Sequence, residues 1–544
     1  MKFAGLRMIG LLATLVLASV WAQGGRSVWA QGGRGTIYVS FKDDISTLDP
    51  AIGYDWQNWS IIKSIFDGLL DYEPGTTRLK PHLAEKYSIS KDGRSYTFVL
   101  RVGVRFHNGR PLVAQDVKYS LERTLNPKTQ SPGQSFYLGI EGAKAFVEGK
   151  AKEVTGIKVL DQRTLQITLE RPDASFLHKL ALNFAHVVPR EEVERWGADF
   201  GKHPVGTGAF KLKEWRLGQR VVLERNPQYF VAGRPRVQEV VFLIGLDPNV
   251  AFLRFQRGEV DLLGDGIPPA RFNEVMSSPK LRSLVAIGEQ LHTGYVTLNV
   301  KVAPLDNIKV RQALNMAIDK QKIVRLINNR ATPAVQILPP LMPGYAKDYA
   351  GYPYNLEKAK QLLAEAGFPN GFSTVLYANN TDPNPRIAQA IQQDLARVGV
   401  KVELKTLAQS TVIEAAGTPG QAPMVWSGGM AWIADYPDPN NFYWPILSCA
   451  AAVPGGWNWA WYCNQDQDLD RKAQALDAMV QPQEQAARVA GYRDLFKRIM
   501  EDAPWIPIFH EKRFTLRSAR LGGPDSIYVD PIHIPVNYEE VYLK

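Results

Sequence analysis

Apolar positions along the chain fall into two periods. Alternation with a period of two marks TIYVSF (36–41), SYTFVLRV (95–102), LQITLE (165–170) and VVLERN (221–226) as strands with one buried face. A period near 3.6 marks NWSIIKSIFDGLL (58–70) as a helix, with Ile62, Ile65, Phe66 and Leu69 on one side. Residues 308–328 read as one long amphipathic helix that places Val310, Leu314, Ala317, Ile318 and Val324 together. The next helix is predicted to start at a capping Asn355 and stop at Gly367. FSTVLY (372–377), RIAQAIQQDLARVG (386–399) and VKVELKTL (400–407) then run strand, helix, strand. Such a βαβ unit requires a parallel sheet and a right-handed crossover. A last helix over 483–502 leads into the strand-like WIPIF (505–509), so the fold class is α/β.

At 544 residues the chain is too long for one core, and two or three domains are expected. The first residues carry a positive start, MKFAGLR, then the apolar run MIGLLATLVLASV and small residues before Ala22. This is the pattern of a secretory signal peptide, too short for a permanent membrane anchor. The octapeptide SVWAQGGR occurs twice, at 19–26 and 27–34, which repeats the cleavage pattern at Ala30. Ala22 lies at the usual distance from the apolar run and is the expected site, giving a signal peptide of 1–22. No cysteine follows for lipid attachment, and no later stretch is long and apolar enough to span a bilayer. Export makes the only two cysteines, Cys449 and Cys463, read as one disulfide, with two buried thiols as the alternative.

The net charge of +10 raises nucleic acid as a partner. The basic residues are scattered, with no run of five or six, and this excludes the clustered footprint that nucleic-acid binding needs. An enzyme reading rests on Ser60–Lys63, which matches the Ser-x-x-Lys of penicillin-recognising enzymes. HTG at 292–294 and YAN at 377–379 resemble its partner motifs but stand in the wrong order. No nucleophile elbow, phosphate loop, His-Glu-x-x-His or Cys-x-x-Cys is present, and the eight histidines are dispersed. No cofactor and no metal are expected.

From Thr406 to Asp470 there is no Lys or Arg, yet the window holds six of the 13 tryptophans. Aromatic faces and unneutralised carboxylates suit a ligand with a positive group. Within AWIADYPDPNNF (431–442), Asp438 before Pro439 has the form of a helix cap. Asp435, between Trp432 and Tyr436, has no such duty and is the better candidate for a ligand. A calcium site from Asp435, Asp438 and Asn440 would lack the six to eight oxygens that the ion takes.

Six segments together resemble family 5 of the extracellular solute-binding proteins of ABC importers. They are NGRPLVAQDVKYSLER from Asn108, PVGTGAFKL from Pro204, LERNPQYF from Leu223, VRQALNMAIDKQKIV from Val310, NLEKAKQLLAEAGFPNGF from Asn355 and WIADYPDPNNF from Trp432. The resemblance implies a two-lobed periplasmic-binding-protein fold of type II-like form, with a subdomain inserted in the first lobe. The first lobe would comprise 35–70, 204–285 and 511–544, the insertion 71–203 and the second lobe 286–510. The aspartate of the W-x-x-D element, here Asp435, would hold a peptide's free α-amino group. The disulfide of relatives also maps onto Cys449 and Cys463. Trp426 and Trp432 would pack on the ligand, helped by Gly428, Gly429, Tyr436 and Asn380, with Tyr54 and Trp56 from the other lobe. Where dipeptide binders grip the ligand carboxylate with arginine, this chain has Asn379 and Asn380 before a displaced Arg386. The expectation is a monomeric, exported or periplasmic binder that delivers a di- or oligopeptide to a membrane permease. Oligosaccharide, nickel-chelate and haem binding remain alternatives within the family.

Overall fold

The computed structural model describes residues 35–464, 467–522 and 536–544. The signal peptide and both cleavage positions, Ala22 and Ala30, lie outside the described residues.

Two large sheets form the two lobes. The first has the order Leu262–Leu263, Thr36–Ser40, Glu239–Leu243, Arg220–Arg225, Phe210–Arg216. Thr36–Ser40 is parallel to both of its neighbours, while the last three strands form an antiparallel meander. Its core gathers Val39, Phe66, Phe210, Leu223 and Phe242, the inward halves of the alternating strands. The second sheet runs Ala331–Pro333, Trp505–Leu516, Val285–Leu298, Met424–Trp426, Ser373–Asn379, Lys401–Leu407. Its last three strands are parallel, and the helix Asn384–Ala396 makes the expected crossover between Ser373–Asn379 and Lys401–Leu407. A third sheet, Ala84–Ile89, Ser95–Leu100, Thr164–Thr168, Ile157–Val159, is wholly antiparallel and belongs to the subdomain inserted in the first lobe.

Val285–Leu298 and Trp505–Leu516 are the physical link between the lobes. They pair antiparallel from Val285 opposite Leu516 to Thr297 opposite Trp505, with breaks in register between Glu289 and Thr293 and between Gly294 and Tyr295. Phe514 and Leu516 at one end pack with Val222, Val241 and Phe252 of the first lobe. Ile506, Ile508 and Val296 at the other end belong to the second-lobe core. One ladder therefore passes from one core into the other.

Some local readings shift. The stretch 308–328 is two helices, Ile308–Ala317 and Lys320–Leu326, because Asp319 turns out of the helix and caps the second by accepting the Lys322 N–H. The first predicted helix ends at Ile65, and Leu70 already begins a strand, Leu70–Tyr72. The helix Leu356–Glu365 starts as predicted, with the Asn355 side chain accepting from the Lys358 N–H. Among the described residues no helix is long and apolar enough to cross a membrane.

Cys449 and Cys463 form the disulfide, closing a loop 14 residues apart in sequence. Asn458 ties the same loop internally, donating to the carbonyls of Ser448 (2.9 Å) and Tyr462 (2.7 Å). A loop of this size is worth about 3 kcal/mol in the chain-entropy model. The double variant Cys449→Ser/Cys463→Ser should lose stability of about that size in denaturant unfolding. An unchanged midpoint would show that Asn458 alone holds the loop.

Candidate functional site

The two-residue strand Trp432–Ile433 attaches to His292 and Thr293 of the linking strand, beside the breaks in its register. The chain then turns, and Asp435 emerges 7% exposed. Asn441 fixes it from six residues on: its Oδ1 accepts the Asp435 N–H (2.9 Å) and its Nδ2 donates to Asp435 Oδ2 (3.1 Å). The same Oδ1 accepts the Trp432 indole N–H (3.2 Å), so one amide holds two of the predicted site residues. From the first lobe, Tyr54 donates its hydroxyl to Asp435 Oδ1 at 2.7 Å. Burial and then the Asp435 charge push the Tyr54 phenol far above its ordinary range, which keeps it a donor. Tyr54 precedes Asp55, which caps the helix Trp56–Ile65 by accepting the Asn58 N–H (2.8 Å), so the helix start positions the phenol. Tyr54 is 50% exposed and remains open to a ligand. The side chain of Trp56 lies outside the described residues.

The other predicted residues are placed differently. Trp426 is fully buried, in the second-lobe core. Its indole donates to Asn384 Oδ1 (3.0 Å) and meets Phe509 edge-on, so it supports the site from behind rather than packing on a ligand. A Cβ on Gly428 would fall 2.1 Å from Asn384 Oδ1, and one on Gly429 2.8 Å from Asn379 Nδ2. Gly429 also has φ +77°, which side chains rarely adopt. Both glycines are thus required by close packing on two asparagine amides. Asn380 is exposed beside them. Tyr436 turns away from Asp435 and enters the core of the inserted subdomain, edge-on to Phe136 and 5.9 Å beneath Lys179 Nζ. Arg386 is engaged at the surface with Asp382 (2.8 and 2.9 Å).

Asp438 does more than cap. It accepts the Asn440 N–H at 3.0 Å, but the helix Asn440–Tyr443 begins after Pro439, one residue later than predicted. Its chief partner is Arg488, which donates two hydrogen bonds of 2.8 Å from the helix Gln485–Asp502. Both groups are buried. Burial alone would push the Asp438 carboxyl up, but Arg488 overrides it and holds the group below the ordinary carboxylate range. The cation-free window is therefore cation-free only in sequence, since Arg488 and Lys179 reach it from outside. Arg488 lies on the apolar stripe of its helix with Tyr492, Leu495 and Ile499, a misplaced charge that the sequence displays.

Ser60 and Lys63 share the helix Trp56–Ile65. Ser60 is buried within its helix, and Lys63 forms an ion pair with Asp71 at 2.5 Å. Burial would raise the Asp71 carboxyl, but Lys63 outweighs it and the group is strongly acidic. His292–Gly294 and Tyr377–Asn379 stand on the second-lobe sheet, whereas Ser60 is on a first-lobe helix.

The profile of the bacterial extracellular solute-binding proteins, family 5, matches residues 78–453. The chain belongs to this family. It is 32% identical over 470 residues to the dipeptide-binding protein of Escherichia coli, covering 83% of this chain and 84% of that protein. It is 31% identical over 528 residues to a glutathione-binding protein of Pectobacterium atrosepticum, covering 95% and 96%. Its structure matches the ABC transporter-associated periplasmic binding protein of Helicobacter pylori in complex with the peptide STSA. That match has a TM-score of 0.73 and 27% identity over 94% of this chain and 98% of the other.

Removing one partner of a buried ion pair typically costs about 3–5 kcal/mol. Arg488→Met should lower the unfolding free energy by that amount, and Asp438→Asn/Arg488→Met by less than the two single losses combined. Because the folded Asp438 is more acidic than in the unfolded chain, its contribution is complete above about pH 4 and fades as pH falls through the lowered value. Denaturant unfolding of wild type and double variant between neutral and acid pH reads both effects.

Proposed function

We propose that this protein is an exported capture subunit that binds a di- or oligopeptide between its lobes and delivers it to the permease of an ABC importer. The observation that carries the reading is Asp435: a carboxylate held at the seam of two lobes, on the second, bonded to Tyr54 of the first. Tyr54 and Asn441 donate to the carboxylate and orient it. Asp435 receives the ligand's α-ammonium, Trp432 lies beside it, and Asn380 and the glycine turn at Gly428 and Gly429 border the opening. The dipeptide-, glutathione- and peptide-binding relatives support the ligand class.

On this reading the first lobe comprises 35–70, 204–285 and 511–544, the insertion 71–203 and the second lobe 286–510. The protein acts as a monomer and performs no covalent chemistry on its ligand. Closure of the two lobes about the linking strands encloses the peptide.

Asp435→Asn should weaken binding of dipeptides and tripeptides by about 2–5 kcal/mol, the cost of leaving a buried ammonium without its charge partner. Calorimetry against a peptide panel measures this, and unchanged affinity would remove Asp435 from the role. Mass spectrometry of the purified protein under native conditions should find a bound peptide. A bound saccharide would overturn the ligand class.

A further inference from the structure

Between the pairs Glu289–Lys512 and Thr293–His510 the linking strands lose register. Gln290, Leu291 and His292 stand on one strand against Glu511 alone on the other. The extra residues form a bulge, and a bulged strand bends. His292 pairs with Ile433 of the short strand, and the Leu291 carbonyl accepts the Ala434 N–H at 2.9 Å. The residues that lead directly to Asp435 therefore hang from this bulge.

His292 is 7% exposed, and its ring stacks on Phe509 at 6.4 Å. Its Nδ1 is buried and makes no hydrogen bond among the described residues. Across the bulge, Glu511 Oε2 stands 3.6 Å from that nitrogen, just beyond hydrogen-bond reach. A neutral imidazole has one donor and one acceptor nitrogen, whereas an imidazolium has two donors. The bulge thus holds a buried proton site next to a carboxylate that does not quite serve it.

The other charges nearby have their own engagements. His510 meets the Thr293 hydroxyl through Nδ1 at 3.1 Å, and burial holds it down to about 3, so it stays neutral. Lys320, which burial lowers to about 7, donates to the Ala334 carbonyl (3.0 Å), and its charge acts on His510. Glu289 and Lys512 pair with each other at 3.4 Å, and Arg330 is turned over the Phe272 ring at 5.9 Å. The short strand Trp432–Ile433 brings no charge before Asp435. Glu511, with its side chain 34% exposed, is the anion that His292 faces. Burial keeps the imidazole below its ordinary value against the pull of Glu511. The ring is therefore neutral at pH 7 in this arrangement, in which Tyr54 bonds Asp435 across the seam.

We propose that His292 is a positioning residue that links peptide binding to pH, with protonation at the bulge favouring the open lobes and release of the ligand. The proposal rests on the peptide reading and on closure about the linking strands. His292 and Glu511 lie on opposite strands of the bulge, so bending there changes their separation and admits water to the ring. A hydrated imidazolium beside Glu511 is favoured in the open form, whereas the closed form keeps the ring dry and neutral. The form that takes the proton more readily gains population as pH falls. His292 acts through Ile433 and Ala434, which carry the chain to Asp435, and not by contact with the peptide.

Calorimetry with trialanine at pH 7.5 and at pH 5.5 tests this, with each protein referred to its own affinity at pH 7.5. Wild type should bind several-fold more weakly at pH 5.5, and one proton at the ordinary histidine value sets a ceiling of about tenfold. His292→Gln should lose most of this dependence. Lys320 and the other histidines remain in both proteins, so the difference belongs to His292. NMR titration of the His292 ring reads the same linkage without a substitution, and its midpoint should lie lower in the peptide-loaded protein than in the empty one. Equal pH dependence in wild type and His292→Gln, or equal midpoints with and without peptide, would overturn the proposal. If trialanine and the rest of the peptide panel fail to bind at pH 7.5, the peptide reading falls and this proposal falls with it.

Discussion

The buried pair of Arg488 and Asp438 is the constraint on which the site rests. Removing both charges from water costs several kcal/mol, repaid only when geometry is good and the remaining hydrogen-bonding positions are filled. Here two parallel bonds join guanidinium and carboxylate, Asp438 also accepts the Asn440 N–H, and Arg488 donates further to Asp477 and the Leu476 carbonyl. The pair anchors the turn between Trp432 and the helix Asn440–Tyr443. With that turn fixed, Asn441 has one orientation, and through it Asp435 and Trp432 have theirs. A charge that a hydrophobic core would reject thus acts as a locating pin for another charge a few residues away.

Much of the fold was legible because periodicity reflects burial directly. The alternating strands, the helix from Asn355 and the βαβ unit over 372–407 are local patterns, and the structure follows them. The long helix over 308–328 was misjudged because its apolar stripe continues through Asp319, and periodicity does not register a cap in mid-pattern. The site was legible only in part. Asp435 is singled out in sequence by the want of another local duty, and the structure joins it to Tyr54, which stands before a helix start. Trp426 and Tyr436 were misjudged because aromatic residues beside a candidate carboxylate look alike in sequence, whether they face a ligand or a core. The partner of Asp438 lies 50 residues downstream, and no local pattern pairs it.

The two linking strands explain why a carboxylate at the seam can respond to both lobes. Asp435 follows a short strand fastened where their ladder breaks register. Interrupted pairing is where a β ribbon bends most readily, because fewer hydrogen bonds must be distorted. Tyr54, which donates to Asp435, belongs to the first lobe. The carboxylate therefore sits beside the strands that join the two lobes.

Tyr436 sets a limit on that motion. A buried aromatic ring covers about 150–250 Å², and re-exposing it at about 25 cal/mol per Å² would cost on the order of 4–6 kcal/mol. The ring is seated among Phe136, His178 and the core of the inserted subdomain. Any opening that unseated it would be rare at ambient temperature, since that energy corresponds to a population of about one in a thousand or less. Tyr436 therefore couples the turn that carries Asp435 to the inserted subdomain.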